Sequence, residues 1–214
     1  MFFTHTDLWF IPAYLGLYLI APFLNKSTEA LPFKQYSILL CAFIAFNIYA
    51  GWWWQGKFNP NGYTIIHLIM IYLIGRYIYR FLPRIKLMGL YAAFAWVMST
   101  CLILLNSLCD TSLMAFAYNS PFVIMASISF FIMFKSMHFS NAIINYCAAS
   151  AFAVYLIHKN PLIWLPFTNW IKDMWETTTL PIFTLLIIAV TLGIFWASIL
   201  IDQSRRYLMT RLKL

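Results

Sequence analysis

Long apolar stretches, each bounded by polar or charged residues, occupy most of the chain. A helix crosses the roughly 30 Å hydrocarbon layer of a bilayer in about 20 apolar residues, with about 17 as the lower end. No stretch alternates polar and apolar residues as a membrane strand does, and backbone groups in lipid must bond within their own segment. The pattern therefore predicts an all-α membrane bundle of about seven transmembrane helices: Leu8–Leu24, Tyr36–Trp54, Thr64–Leu82, Leu87–Asn106, Met114–Phe134, Ile143–Leu165 and Leu180–Ile201.

The composition supports the same class of protein. The 214 residues are 63% hydrophobic and only 9% charged, whereas about a quarter of the residues of a soluble domain are charged. Such a chain cannot cover itself with polar surface, so its main partner is expected to be the lipid bilayer. The loops between the apolar stretches are short, and we predict one multi-pass transmembrane domain over residues 1–214.

Positive charge is concentrated in alternate loops, and cytoplasmic loops carry the excess of Lys and Arg. This predicts a cytoplasmic C-terminus and, with seven spans, an external Met1. The first seven residues contain no Lys or Arg and no cleavable signal. We therefore expect an odd number of helices before Met1. The chain is then expected to be the C-terminal part of a longer membrane domain. The loops richer in positive charge contain Lys26, Lys34, Arg76, Arg80, Arg84, Lys86, Lys135, Arg205, Arg206, Arg211 and Lys213.

Several functions are disfavoured by the same composition. The net charge of +8 is spread over membrane-flanking loops, so we expect no nucleic-acid partner. The cysteines form no C-x-x-C motif, and the four histidines are dispersed, so no metal site is predicted, although distant ligands could converge in the fold. The chain contains no phosphate-binding glycine motif, and we expect no bound cofactor.

His67 is the clearest polar residue inside a predicted span, and such residues are costly in lipid. It could act as a base or as a hydrogen-bond donor to a polar ligand in an outward-opening cleft. Alternatively, it is an interfacial histidine packed beside an aromatic belt formed by Trp52, Trp53 and Trp54.

Three arginines recur every four residues at the predicted cytoplasmic end of the third span: Arg76, Arg80 and Arg84. Their spacing places them on one helical face, although Pro83 interrupts the last turn. Their guanidinium groups could hold the phosphates of a cytosolic donor. The alternative is that they are ordinary cations whose stems lie along the apolar surface and whose charges reach water.

A further cluster of polar residues lies near residue 158. Tyr155, His158, Lys159 and Asn160 precede Pro161 there. The proline frees backbone carbonyls, so a small polar pocket is plausible. His158 could act as a base near neutral pH, or it could cap the kink. Asn119 lies in a similar polar break before Pro121. This break either faces the same outer vestibule as the residues around His158 or simply starts the fifth helix.

Several of these stretches, in this order, resemble the acyltransferase 3 family of membrane O-acyltransferases. The resemblance rests on WFIPAY from Trp9, APFLN from Ala21, YLIGRYI from Tyr72, YNSPF from Tyr118 and YLIH from Tyr155. It implies a bacterial inner-membrane enzyme that moves an acyl group, commonly acetyl, from acetyl-CoA or a similar cytosolic donor. The acceptor is expected to be a hydroxyl group of an envelope glycan or lipid.

The resemblance also implies roles for individual residues. Arg76 and Arg80 are predicted to bind the donor, and His158 is the candidate catalytic base. The predicted acceptor-binding residues are His67, Asn119, Tyr155 and Asn160. Family members, however, begin with a helix that carries an arginine and the histidine usually regarded as catalytic. That helix is missing from this chain, so the isolated chain is expected to have little or no activity.

Two alternatives stay open at this point. The chain could be a non-enzymatic membrane protein that binds or translocates an envelope lipid or glycan, or an inactive remnant. An acyltransferase differs from both because it needs a groove at Arg76 and Arg80 that admits a nucleotide-bearing donor.

Overall fold

The computed structural model describes residues 9–54, 59–83, 86–109, 114–137 and 140–211, and all regular secondary structure in these ranges is helical. This agrees with the prediction of an all-α chain. The helices are α1 (Phe10–Glu29), α2 (Phe33–Asn47), α3 (Ile65–Phe81), α4 (Lys86–Leu108), α5 (Pro121–Lys135), α6 (Ala142–Ala149), α7 (Ala151–His158), α8 (Pro161–Thr177) and α9 (Leu180–Arg211). A π-helical segment, Ile48–Trp53, continues α2, and a short 3₁₀ turn spans Pro60–Gly62.

Within the described residues, three helices are long and apolar enough to cross a membrane: Phe33–Trp53, Leu87–Leu108 and Leu180–Arg211. Helix α5 is also apolar but shorter. A membrane helix bundle is therefore supported, whereas the seven spans and the cytoplasmic C-terminus stay predictions.

The chain forms two compact units, one up to His138 and one from Phe139. The core of the first unit lies on one face of α3. Met70, Leu73, Ile74 and Ile78 follow one another at spacings of three, one and four residues, which places them on one side of a helix. They pack against Tyr36 and Leu40 of α2 and Ile124 of α5. The Tyr36 hydroxyl donates to the Leu73 carbonyl at 3.0 Å, which fixes α2 against α3.

Two cations complete the end of the first unit where α1 and α3 finish. Helix α3 stops before Pro83, and the preceding Leu82 has the extended backbone that a following proline favours. Lys135 donates to the carbonyls of Ile78 and Leu82 at 2.5 and 2.6 Å. Arg80 donates to the Thr28 carbonyl near the end of α1 at 2.6 Å. Cations are favourable at helix C-termini, where carbonyls lack helical partners.

The second unit departs from the prediction of one span over Ile143–Leu165. Two breaks divide this stretch, one at Ser150 between α6 and α7 and one at residues 159–160. The second break follows from Pro161, which begins α8 as its first residue. At the first break, Ser150 is fully buried and accepts a hydrogen bond from Gln203 of α9 at 2.9 Å. Helix α8 extends through Thr177, beyond the predicted span.

Candidate functional site

The predicted donor-binding arginines lie together at the end of α1. Arg76 pairs with Glu29 at 3.4 Å, and the side chains of this pair are 28% and 67% exposed. Arg80 is held by the Thr28 carbonyl, and its guanidinium also lies 4.8 Å from the centre of the Phe81 ring. Each arginine therefore already has a partner, and the pair of Arg76 with the exposed Glu29 exchanges readily with other partners. Arg84, the third arginine of the predicted cluster, lies outside the described residues.

His67 belongs to a buried network of polar side chains at the opposite end of α3. Its Nδ1 lies 3.3 Å from the Asn47 side-chain nitrogen. The Asn47 oxygen accepts a hydrogen bond from Asn59 at 2.6 Å, and Thr64 donates to the Asn59 oxygen at 2.6 Å. Asn47 and Asn59 are fully buried. Each bond satisfies a group that would be costly to leave unpaired, so the network fixes α2 against the start of α3.

Asn119 joins the same network from the segment before α5. Its side-chain nitrogen donates to the Asn59 carbonyl at 2.8 Å. The approach requires Gly51, because a Cβ at that position would lie 2.4 Å from the Asn119 nitrogen. The Asn119 Oδ1 and the Ser120 hydroxyl are both buried and have no hydrogen-bond partner among the described residues. The structure thus brings His67 and Asn119 into one network, while their roles in acceptor binding stay predictions.

Aromatic rings cover this network. The His67 ring stacks on Tyr118 with centroids 6.2 Å apart, and Tyr63 lies 5.3 Å from Tyr118. Trp52 is buried and donates from its indole nitrogen to the Met114 carbonyl at 3.0 Å, whereas Trp53 and Trp54 are exposed. Exposure suits Trp53 and Trp54 to the predicted aromatic belt. Trp52 instead belongs to the interior of the first unit.

His158 lies at the end of α7 in an apolar groove. Its Nδ1 is 2.9 Å from the Val154 carbonyl oxygen. A carbonyl only accepts, so Nδ1 carries the hydrogen and Nε2 of the neutral ring keeps its lone pair. The groove has a volume of about 200 Å³ and is lined by Val154, His158, Ile163, Phe167, Thr191, Ile194 and Phe195. This tautomer is the one that a general base requires.

The other predicted residues near His158 have different surroundings. The Tyr155 ring lies 5.9 Å from the His158 ring in an edge-to-face arrangement. Asn160 caps α8, because its side-chain oxygen accepts from the Leu162 amide at 3.0 Å. The Lys159 ammonium lies 3.9 Å above the Trp164 ring. Tyr155 is therefore beside the candidate base, whereas the oxygen of Asn160 is already used by the helix.

Sequence reasoning missed several residues that shape these sites. Glu29 and Thr28 hold the two arginines, and Asn47 and Asn59 hold His67. Asn47 could have been noticed as a lone amide within an apolar stretch. Glu29 and Thr28 gave no comparable signal, because their contacts with α3 join residues about 50 positions apart. In the part of the chain that the structure describes, no three His, Cys, Asp or Glu side chains are grouped to hold a metal ion.

A comparison with protein families decides the class of this chain. A family model described as an acyltransferase domain matches residues 1–199. The chain belongs to the acyltransferase 3 family. No curated protein and no solved structure gave a significant match. Membership of the acyltransferase 3 family supports a membrane acyltransferase in general, while the donor, the acceptor and the residue roles stay predictions.

Proposed function

We propose that this acyltransferase 3 chain takes part in transferring an acetyl group from cytosolic acetyl-CoA to a hydroxyl group of an envelope glycan or lipid in a bacterial inner membrane. The observation that carries the proposal, beside the family, is the state of His158. Its Nδ1 bonds the Val154 carbonyl, and the residue lines an apolar groove. An oriented imidazole next to a space for a small group is what a hydroxyl-activating base needs.

The proposed reaction begins when Nε2 of His158 accepts the proton of the acceptor hydroxyl. The hydroxyl oxygen attacks the thioester carbon, the new C–O bond forms and the C–S bond breaks. The proton then passes from the imidazolium to the leaving thiolate. His158 is regenerated, and the products are an acetyl ester and free coenzyme A.

Arg76 is proposed to bind the donor phosphates by exchanging Glu29 for a phosphate oxygen. Arg80 contributes less, because the Thr28 carbonyl already occupies one of its nitrogens. For the acceptor, the Asn119 Oδ1 and the Ser120 hydroxyl are the buried groups whose hydrogen-bonding capacity is unused among the described residues. A sugar hydroxyl could donate to Asn119 after a local opening, and Tyr155 is positioned beside the base.

Binding of radiolabelled acetyl-CoA to the chain in lipid nanodiscs tests the proposal. Arg76→Gln should weaken binding, and Arg76→Gln with Arg80→Gln should abolish it. Arg211→Gln is the matched control, because it removes the same charge from a different part of the chain and should leave binding unchanged. Donor binding that survives the double substitution would overturn the role of these arginines.

The same preparation distinguishes the alternative function. A chain that retains an envelope glycolipid but neither binds acetyl-CoA nor transfers label supports a non-enzymatic binding or translocating protein. Label transferred to the glycolipid, and lost on His158→Ala, supports the acyltransferase proposal.

A further inference from the structure

Helix α9 is longer than a membrane span requires. Its 32 residues, Leu180–Arg211, extend over about 48 Å at 1.5 Å per residue, whereas about 20 residues cross the hydrocarbon layer. No charged residue occurs in its first part, residues 180–201, and the first charged residue is Asp202. The boundary between hydrocarbon and headgroups therefore falls close to residue 201, with the last turns of α9 at headgroup level.

Asp202 is a buried carboxylate that organises two arginines at this boundary. Its side chain is only 2% exposed, and those of Arg205 and Arg206 are 61% and 43% exposed. Arg205 donates from Nε and Nη2 to Oδ1 at 3.0 and 2.8 Å. Arg206 donates from Nε to Oδ2 at 2.8 Å and also bonds the Ala149 carbonyl. One carboxylate faces two guanidinium groups, so the cluster keeps a net positive charge.

Arg205 faces away from the packed side of the second unit. Asp202 accepts from Nε and Nη2, which leaves three of the five N–H donors, two on Nη1 and one on Nη2, for another acceptor. Because the guanidinium is already fixed, a ligand would not have to immobilise a flexible side chain, and less entropy would be lost on binding. A fixed guanidinium suits a phosphate oxygen.

The surface around Arg205 is apolar. Arg205 lies along the shallow groove between two adjacent rows of exposed α9 side chains. Residues four apart lie above one another on a helix, and the two rows are Leu200, Ser204 and Leu208, and Ile201, Arg205 and Met209. A guanidinium between apolar side chains at the edge of the hydrocarbon layer complements an amphiphile with an anionic head.

We propose that this groove binds an anionic phospholipid, with the headgroup phosphate on Arg205 and an acyl chain along the two apolar rows. Charge complementarity favours this occupant over a zwitterionic lipid, since basic residues near an anionic lipid surface are attracted to it. The apolar rows favour it over free phosphate, which would leave Leu200 and Ile201 without a partner. The site is independent of the acyl-transfer reaction.

Native mass spectrometry of the full chain in neutral detergent tests the proposal, with phosphatidylglycerol and phosphatidylcholine of identical chains as probes. The unaltered chain should retain phosphatidylglycerol at least tenfold better. Arg205→Gln should lower its retention about fivefold or more. Arg211→Gln is the matched control, since its guanidinium lies 5.2 Å from the Tyr207 ring on the same helix, and it should change retention less than twofold.

A second variant and a competitor keep the test decisive. Arg205→Lys preserves the charge beside Asp202 but not the planar fork, and retention should fall between those of the unaltered chain and Arg205→Gln. An excess of inorganic phosphate should not displace the lipid. Equal losses in Arg205→Gln and Arg211→Gln, equal retention of both lipids, or displacement by phosphate would each overturn the proposal.

Discussion

The two units of this acyltransferase 3 chain differ in how their polar side chains are bonded. In the first unit, Asn47, Asn59 and His67 are buried and bond one another, so most of their capacity is used to hold helices together. In the second unit, His158 bonds a carbonyl of its own helix through one ring nitrogen and lines an apolar groove. A polar residue in a predicted span therefore indicates a site only when part of its hydrogen-bonding capacity remains free.

The largest expected effect tests the free nitrogen of His158. His158→Ala should reduce acetyl transfer by about 10²–10⁴-fold, the usual contribution of a general base. The groove of about 200 Å³ has room for a small ring, since an apolar cavity of about 150 Å³ can hold benzene. Added imidazole should therefore restore part of the rate of His158→Ala, measured as label transferred to glycolipid.

The control for this experiment is His158→Gln, whose larger side chain fills the space left by imidazole. It should lose the same activity without rescue. If His158→Ala keeps the full transfer rate, His158 is a helix cap and the contrast between the two units disappears.

The next effect concerns the stability of the first unit. Asn47→Leu removes the acceptor of the Asn59 hydrogen bond and the contact with His67. An unsatisfied buried group costs about 1–3 kcal/mol, so the midpoint of denaturant unfolding in mixed micelles should fall. Ser127→Ala is the control, because Ser127 is exposed and bonds only its own helix. An unfolding midpoint unchanged by Asn47→Leu would show that the network does not stabilise the fold.

Two glycines provide a second test of what stabilises the first unit. Gly62 has a φ of +80°, and a Cβ there would lie 2.8 Å from the Tyr118 Cβ. Gly62→Ala should therefore destabilise the chain by about 1–3 kcal/mol. Gly75 lies within α3, and no described atom is within 4 Å of an added Cβ. Gly75→Ala should be neutral or stabilising by about 0.5–1 kcal/mol. Equal unfolding midpoints for the two variants would contradict this account of Gly62.

The smallest expected effect tests whether Glu29 competes with the donor phosphate for Arg76. Glu29→Gln removes its charged partner, and an exposed ion pair contributes about 0.2–1 kcal/mol. Acetyl-CoA binding should therefore strengthen about two- to fivefold, because the donor phosphate no longer competes with a carboxylate. Lys26→Gln, elsewhere on α1, should not strengthen it. Weaker donor binding in Glu29→Gln would indicate that the pair positions Arg76 instead.

The sequence by itself determined the class of the protein. Apolar stretches of about 20 residues predict helices in lipid because unsatisfied backbone groups are too costly there. Pro83 marked the end of α3, because proline lacks the amide hydrogen and restricts the preceding residue. The predicted spans Met114–Phe134 and Ile143–Leu165 instead ran across Pro121 and Pro161, where α5 and α8 begin. The order of short motifs identified the acyltransferase 3 family, which the match over residues 1–199 confirms.

Only the tertiary structure decided which polar groups are occupied. The buried Ser150 hydroxyl is bonded by Gln203, which lies 53 positions later in the chain. The pairing of Arg80 with Thr28 similarly joins residues 52 positions apart. No local pattern specifies such partners, because helical periodicity fixes the face on which a side chain lies but not which helix packs against it. The number of free donors and acceptors at a candidate site is therefore a property of the fold.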